Sequence, residues 1–207
     1  MKRIITIGRE FGSGGRELGK RLADALGYAY YDREIEAAIA ERTGMDIRYV
    51  TQLADRSLLA SIPLHFGQTF THASVQKQQI DILVEKQRVM KDFARLSDCV
   101  IVGRAADIVL SEYQPFKIFV YADMAYKIKR CQRYAGGSQP LSVREMERSI
   151  RKIDAARAQY RGMFPGIGWG DREQYHLCVN TTGLEIKGII PSLAGYARSW
   201  FSSRPAP

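Results

Sequence analysis

The sequence predicts a doubly wound α/β fold built on a five-stranded parallel sheet, and three observations support this prediction. First, an apolar β-type run at residues 4–7 breaks into a glycine-rich loop and then becomes helical. Second, four further short β-type runs follow, separated by helical segments. Third, the run over residues 98–104 is apolar until it closes on Gly-Arg, as expected of a parallel strand that is buried on both faces.

The first half of the chain contains a β-loop-α-β unit followed by helices. Its predicted elements are a strand at residues 4–7, a helix at 16–26, a short strand at 28–31, and helices at 33–55 and 74–96. Gly27 suits a C-cap between the first helix and the second strand, which ends at Asp32. The pattern over residues 57–71 is weak and is interrupted by Pro63 and Gly67, which predicts a loop or a short helical excursion.

The second half continues the alternation of strands and helices. Its predicted elements are a strand at residues 98–104, a short helix at 105–112, a strand at 116–121, basic helices at 124–134 and 141–160, a strand at 176–180 and a closing helix at 185–201. Gly136 and Gly137 separate the two basic helices. The whole pattern predicts a single domain, because 207 residues suffice for one sizeable core.

Polar and glycine residues collect where the predicted strands end. Gly8, Asp32, Gly103, Arg104 and Asp123 all fall at or just beyond a carboxyl end. In a doubly wound sheet these ends meet at one edge, and ligands bind outside it. The sequence therefore predicts a binding site at this edge.

The composition restricts the class of protein and of partner. No apolar run approaches the roughly 20 residues that a membrane span needs, which predicts a cytoplasmic protein with no membrane partner. Three widely spaced cysteines suggest neither a disulfide framework nor a zinc site. The net charge of +9 favours an anionic partner, and nucleic acid, an anionic membrane surface and nucleotide phosphates all fit it. Many of the basic residues lie between Lys127 and Arg161.

The glycine-rich loop after the first strand makes phosphate chemistry the first hypothesis. A strand, a glycine-rich loop and a helix start form the usual phosphate cradle, in which backbone N–H groups bind the anion. The residues that would form it are Gly12, Ser13, Gly14, Gly15, Arg16 and Glu17. The alternative is a glycine-rich turn that binds nothing.

The loop departs from the standard pattern G-x-x-x-x-G-K-S/T. With the following helix as register, Gly15 stands where the lysine is expected and Glu17 where the metal-binding Ser/Thr is expected. One residue too many also separates Gly8 from Gly14. Either Arg16 or Lys20 could supply the missing positive charge, and we favour Arg16 because its planar fork suits phosphate oxygens.

Four segments together resemble the bacterial cytidylate-kinase-like family, a divergent branch of the P-loop nucleoside monophosphate kinases. They are the glycine loop with its flanks, the strand end Tyr30-Tyr31-Asp32, the run Val100-Ile101-Val102-Gly103-Arg104, and Asn180-Thr181-Thr182-Gly183. The resemblance runs in order from about residue 3 to about residue 190. It implies a P-loop NTPase architecture with a core at residues 1–32, 97–130 and 174–200, a helical NMP-binding insertion at about 33–96 and a lid at about 131–173.

The resemblance also implies an activity and substrate-binding residues. The activity is transfer of the ATP γ-phosphate to a (d)CMP-like nucleotide, with ATP and Mg²⁺ as cofactors. Asp32 corresponds to the aspartate that closes the second strand, and Arg104 to an arginine that holds the acceptor phosphate. Asp154 and Arg157 resemble the Asp-x-x-Arg element that recognises the cytosine nucleotide. The chain departs from the family pattern at Ile150, where the family has an arginine, and at Val102, where it has an aspartate.

Phosphoryl transfer requires alignment and positive charge around the transferred group. We assign this catalytic role to Arg16, Asp32, Arg104 and Arg130. Arg133 shares a helix face with Arg130, one turn away, and is assigned with the loop to the ATP site. For magnesium, which prefers oxygen ligands, Asp32 is the first candidate and Glu17 the second. Glu17 could instead serve only as a favourable charge at the helix N-terminus.

Two other functions remain open at this stage. The substituted loop also fits a nucleotide-binding regulator, or pseudokinase, that has lost turnover. The charge of +9 also fits a nucleic-acid-binding protein, but the chain has no recognisable recognition module, and a lid accounts better for its arginines. The predicted helix at residues 74–96 could also serve self-association into a homo-oligomer.

Overall fold

The fold centres on a sheet of five parallel strands. The structure, a computed structural model, describes residues 2–55, 71–134, 141–164 and 168–203. The strands are β1 (Ile4–Arg9), β2 (Ala29–Tyr31), β3 (Cys99–Val102), β4 (Phe116–Tyr121) and β5 (Leu177–Asn180). Their order across the sheet is β2-β3-β1-β4-β5, and every pair is parallel. The predicted doubly wound fold is therefore confirmed.

Helices flank the sheet on both faces. They are α1 (Gly15–Leu26), α2 (Glu34–Thr43), α3 (Ile47–Asp55), α4 (Thr71–Leu96), α5 (Ala106–Val109), α6 (Met124–Tyr134), α7 (Val143–Arg161) and α8 (Ile186–Ser202). No helix in the described ranges combines the length and the apolar character that crossing a bilayer requires. The predicted loop at residues 57–71, except Thr71 in α4, and the Gly136-Gly137 break lie outside the described residues.

Two of the predicted helices have different extents in the structure. The stretch predicted as helical over residues 33–55 forms two helices, α2 and α3. Gly44 adopts a left-handed conformation with φ 66° and ends α2. Asp46 then accepts the amides of Arg48 and Tyr49 at the start of α3. The helix predicted over residues 105–112 is α5, which ends at Val109, followed by a 3₁₀ turn at Ser111–Tyr113.

Alternate strand residues supply two separate cores, one on each face of the sheet. On one face α1 and α8 cover Ile5, Ile7 and Val100. On the other face α2, α4 and α5 cover Ile4 and Ile101. The sheet is thus buried on both sides, so its carboxyl edge is where a ligand can reach the strands.

A third, smaller core fixes α7 above the glycine loop. Ile150 of α7 is fully buried with Ile128 of α6, and Phe11 of the loop packs against them. A capping box begins α7, because Ser142 and Glu145 satisfy each other's backbone amides. Ile150, which stands where the related family has an arginine, is therefore a core residue here.

The end of β5 is tied to the glycine loop through one buried hydroxyl. Thr181 Oγ1 donates to the carbonyl of Ser13 at 2.7 Å and lies 3.2 Å from the carbonyl of Tyr121. Ser13 in turn donates its hydroxyl to the carbonyl of Glu10. These bonds hold the loop between β1 and α1 in one conformation.

We predict that Thr181→Val destabilises the protein by about 1–2 kcal/mol, because it leaves a buried carbonyl without its donor. Thr43→Val is the matched control, since Thr43 donates only to Ile39 of its own helix. Urea unfolding of both variants measures the difference. If Thr181→Val is no less stable than Thr43→Val, the hydroxyl does not hold the loop.

Candidate functional site

The glycine loop between β1 and α1 presents unpaired backbone amides. Gly12 and Gly14 have φ of 79° and 85°, a region that residues with a side chain rarely adopt. Gly14 is also the N-cap of α1, and no side chain caps this helix. The amides of Gly14, Gly15 and Arg16 donate to no acceptor among the described residues. Such a helix start is an anion-binding element.

A cavity of about 860 Å³ lies beside the loop, at the carboxyl ends of β1 and β3. Helices α2, α3 and α4 line one side of it, and α7 lines another. Its basic lining residues are Arg9, Arg16, Arg33, Arg48, Lys86, Arg104, Arg157 and Arg161. Among the described residues, the acidic ones that line it are Glu36 and Asp107, and Asp107 is paired with Arg161 at 2.7 Å. This imbalance favours an anionic ligand.

Arg9, the last residue of β1, is a site residue that the sequence reasoning missed. Its side chain is 12% exposed and crosses the helix start, because a Cβ on Gly15 would lie only 2.5 Å from the Arg9 Cβ. Its guanidinium ends against Gly103 after β3. The signal was in the spacing: four residues separate Arg9 from Gly14, as the standard pattern requires. When the pattern is counted from Arg9, Gly15 stands at the lysine and Arg16, not Glu17, stands at the Ser/Thr that follows it.

Three guanidinium groups surround the buried carboxylate of Asp32. Arg16 Nε lies 2.5 Å from it, Arg104 Nη1 3.0 Å and Arg9 Nη2 3.9 Å. Of these, Arg16 is about half exposed, whereas the other two are largely buried. Asp32 thus orients the arginines of the cavity.

Arg104 is held in a strained backbone segment at the end of β3. Arg104 and Ala105 both have positive φ, of 57° and 52°, directly after Gly103 at 81°. Left-handed residues with a side chain cost about 1 kcal/mol or more each, and such strain concentrates at functional sites. The segment turns the Arg104 side chain toward Asp32 and Glu36, where it donates hydrogen bonds to both carboxylates.

Apart from the ion pair between Asp107 and Arg161, three buried polar atoms of cavity-lining residues have no hydrogen-bond partner among the described residues. They are Thr6 Oγ1, Glu36 Oε2 and the Tyr160 hydroxyl. Burial raises the pKa of Tyr160 to about 12, so its hydroxyl stays protonated at neutral pH. Unpaired buried polar atoms are costly, and a polar ligand in the cavity would satisfy them.

Asp154 and Arg157 of α7 bind the backbone of the loop. Asp154 Oδ1 accepts the Phe11 amide at 2.7 Å, and Arg157 Nη1 donates to the Arg9 carbonyl at 3.1 Å. Burial raises the pKa of Asp154. Arg157 lines the cavity, whereas Asp154 does not. In this structure the pair therefore positions the loop.

Glu17 and the basic residues of α6 lie on the other side of the loop. Glu17 accepts hydrogen bonds from Arg21 and Arg130, which together lower its pKa against the opposing effect of burial. The guanidinium of Arg130 also packs against Gly14. Neither Arg130 nor Arg133, which is exposed in the last turn of α6, lines the cavity. Lys20 does not line it either, and pairs with Asp24 along α1.

The carboxylates predicted to bind magnesium are already occupied by cations. Both oxygens of Asp32 contact arginines, and so do both oxygens of Glu17. The described residues contain no cluster of three or more His, Cys, Asp or Glu that could hold a metal ion. These donors therefore do not fit a resident magnesium ion.

Comparison with known proteins agrees with this arrangement of loop, sheet and cavity. The sequence model of the cytidylate kinase-like family matches residues 4–183. The chain belongs to this family. A cytidylate kinase from Haloarcula marismortui is 26% identical over 189 residues, which are 90% of this chain and 85% of that protein.

Solved structures share the fold of this cytidylate kinase-like protein. An uncharacterized protein from Eubacterium ventriosum aligns with a TM-score of 0.67 and 24% identity, over 96% of this chain and 99% of the other. Shikimate kinase from Acinetobacter baumannii, in complex with shikimate, aligns with a TM-score of 0.54 and 15% identity, over 96% of this chain and 94% of the other. Shikimate kinase from Bacteroides thetaiotaomicron aligns with a TM-score of 0.56 and 16% identity, over 97% of this chain and 98% of the other.

We predict that Glu17→Gln lowers the stability by about 1 kcal/mol at pH 7, because it removes the charge that pairs with Arg130 and faces the start of α1. The pKa of Glu17 is lower in the folded than in the unfolded protein, so its contribution is fully present above about pH 4.5. It disappears as the pH falls through the folded-state pKa. Thermal unfolding from pH 3 to 7 should therefore show the two proteins converging in acid.

If Glu17 were instead a magnesium ligand, the melting temperatures would depend on Mg²⁺. If Glu17 held magnesium, added Mg²⁺ without nucleotide would raise the melting temperature of the unmodified protein but not of the Gln variant. We expect no such difference.

Proposed function

We propose that this protein transfers the γ-phosphate of ATP to the phosphate of a CMP-like nucleotide. The observation that carries the proposal is the adjacency of two anion-binding features. One is the set of unpaired amides at the start of α1, and the other is the cavity with its excess of basic side chains. A phosphate donor and a phosphate acceptor can meet where these features touch.

In this proposal the donor phosphates lie on the loop and the acceptor lies in the cavity. Residues 33–96, which contain α2 to α4, form the NMP-binding insertion, and residues 131–173, which contain α7, form the lid. Arg104 and Arg157 bind the acceptor phosphate, while Arg16 faces the transferred group. Glu36 Oε2 and Thr6 Oγ1 accept hydrogen bonds from hydroxyl or amino groups of the nucleoside.

The chemistry is a displacement at the γ-phosphorus. An oxygen of the acceptor phosphate forms the new bond to phosphorus, the bond to the β–γ bridging oxygen breaks, and ADP leaves with that oxygen. The protein contributes alignment and positive charge, and α7, which lines the cavity, would exclude water from the reacting groups. Asp32 acts in this step by orienting Arg16 and Arg104. No step requires a metal held by the protein itself.

The named relatives support a kinase but leave the acceptor to experiment. The Haloarcula protein is a cytidylate kinase, whereas the Acinetobacter protein is a shikimate kinase with shikimate bound. We propose a cytosine nucleotide because the family match covers residues 4–183. A nucleotide-binding regulator is the second candidate, since Gly15 cannot supply the cation of the standard loop.

Nucleic-acid binding ranks last because most of the buried basic residues of α6 and α7 already have carboxylate partners. Lys127 pairs with Glu10 and Arg161 with Asp107. Arg130 pairs with Glu17, and Arg157 pairs with Asp154 at 3.3 Å. Among the described residues of α6 and α7, exposed ones such as Arg133 remain for a surface contact. The cytoplasmic location and self-association through α4 stay predictions.

We predict ATP-dependent formation of ADP with CMP or dCMP, and weaker turnover with AMP, GMP or UMP. Arg104→Gln should lower kcat/KM for the monophosphate by about 100-fold, because one charged donor to the phosphate is lost. Arg95→Gln is the matched control, since Arg95 is exposed at the end of α4 and does not line the cavity. Coupled ADP release measures both variants.

The possible outcomes separate the candidate functions. Turnover that falls in Arg104→Gln and persists in Arg95→Gln supports the kinase. Calorimetric binding of ATP with no turnover for any of the five acceptors would refute the kinase and leave the regulator. Nanomolar affinity for nucleic acid at physiological salt would overturn the ranking of the third candidate.

A further inference from the structure

We infer that Arg9 is the cation that binds the donor phosphates in place of the missing loop lysine. This inference rests on the proposed function, because it assumes that phosphates bind at the start of α1. It goes beyond that proposal by assigning the charge to a residue at the opposite end of the loop from the lysine position. Three independent observations carry it: the spacing, the shape and the charge.

When the standard loop pattern is aligned to this chain, a glycine and a basic residue have exchanged places. Arg9 stands at the first glycine of G-x-x-x-x-G, and Gly15 stands at the lysine. The chain thus has an arginine where the pattern has no side chain, and no side chain where the pattern has a cation. One change compensates for the other.

The shape of the site requires both substitutions together. A Cβ on Gly15 would lie 2.5 Å from the Cβ and 3.1 Å from the Cγ of Arg9, so any side chain at position 15 collides with Arg9. A Cβ on Gly103 would lie 1.7 Å from Arg9 Nη1. Two glycines therefore leave room for one arginine, which runs from the loop to the end of β3.

Among the described residues, Arg9 shares its one carboxylate partner, Asp32, with two other arginines. Its guanidinium donates no hydrogen bond to a described residue, and its nearest carboxylate, on Asp32, is 3.9 Å away and already binds Arg16 and Arg104. Burial, and then the charges of Arg157 and Arg104, lower the pKa of Arg9 to about 9. A buried cation without a bonded anion is costly, so a phosphate beside it would be strongly favoured.

The position of the side chain joins the two halves of the proposed site. Its aliphatic part touches Gly15, whose amide is one of the unpaired donors, and its guanidinium lines the cavity. An anion held by the amides of α1 can therefore contact Arg9 as well. A phosphoryl group that moves from loop to cavity would pass this guanidinium.

The same contacts allow one opposite interpretation, in which Arg9 blocks the loop. In that case the side chain occupies the phosphate position, and the protein is a regulator that does not bind phosphate there. The two interpretations predict opposite effects of removing the side chain.

The test moves the basic residue from position 9 to position 15. Titration calorimetry on the full chain measures the affinity for inorganic tripolyphosphate. Arg9→Gly should weaken binding about 10-fold or more, because charge-assisted hydrogen bonds are lost. The double variant Arg9→Gly, Gly15→Lys restores the standard pattern and should recover most of the affinity. Arg95→Gln, which removes the same charge far from the loop, should bind like the unmodified protein.

Each outcome decides the inference. Unchanged binding in Arg9→Gly would overturn the inference, and tighter binding would overturn it and support the blocking interpretation. A double variant that binds no better than Arg9→Gly would also overturn it. Gly15→Lys alone is expected to unfold more easily, so melting temperatures accompany every titration. Arg9→Lys serves as a conservative second variant that keeps part of the affinity.

If Arg9→Gly loses tripolyphosphate affinity while no acceptor is phosphorylated, the inference stands and the proposed kinase activity fails. If CMP turnover is the same in Arg9→Gly, the activity stands and the inference fails.

Discussion

The site depends on the carboxylate of Asp32, which three arginine side chains share. Asp32 closes β2 and contacts Arg16 and Arg104, and it is the nearest carboxylate to Arg9. One carboxylate cannot neutralise three guanidinium groups, and Glu36 contributes only through Arg104. The arginines are therefore held in place without being neutralised. A bound anion would complete the balance of charge in this cavity.

The parallel sheet brings these groups to one place. Because β1 lies between β3 and β4, the glycine loop and the Gly103–Ala105 segment leave neighbouring strands at the same edge. Thr181, directly after β5, and Asp154 of α7 then fix the loop from two sides. The loop is thus preorganised by bonds that do not use its free amides.

The sequence was sufficient for the fold because its strands are short continuous apolar runs and its helices have clear breaks. The division of residues 33–55 was missed because the segment remains helical in composition on both sides of Gly44, and only backbone conformation distinguishes a C-cap from a tolerated glycine. The basic residues of α6 could not be placed relative to the cavity, because Arg130 pairs with Glu17, more than a hundred positions away in the chain.

Arg9 was missed for a different reason. Gly8 is a glycine at nearly the right spacing, so the sequence alone favours a motif that begins at Gly8 and contains one extra residue. Only the collision distance between Arg9 and Gly15 shows that the two positions depend on each other. The three unpaired atoms on the cavity wall were equally invisible from sequence, because hydrogen-bond satisfaction depends on neighbours from several elements.

The central claim is that an anion sits between the amides of α1 and the guanidinium of Arg9. Amide and guanidinium ¹H–¹⁵N chemical shifts during a titration with ATP test it most directly. The account predicts the largest changes at the amides of Gly14, Gly15 and Arg16 and at Nε of Arg9. Saturable ATP binding that leaves these four signals in place would contradict it.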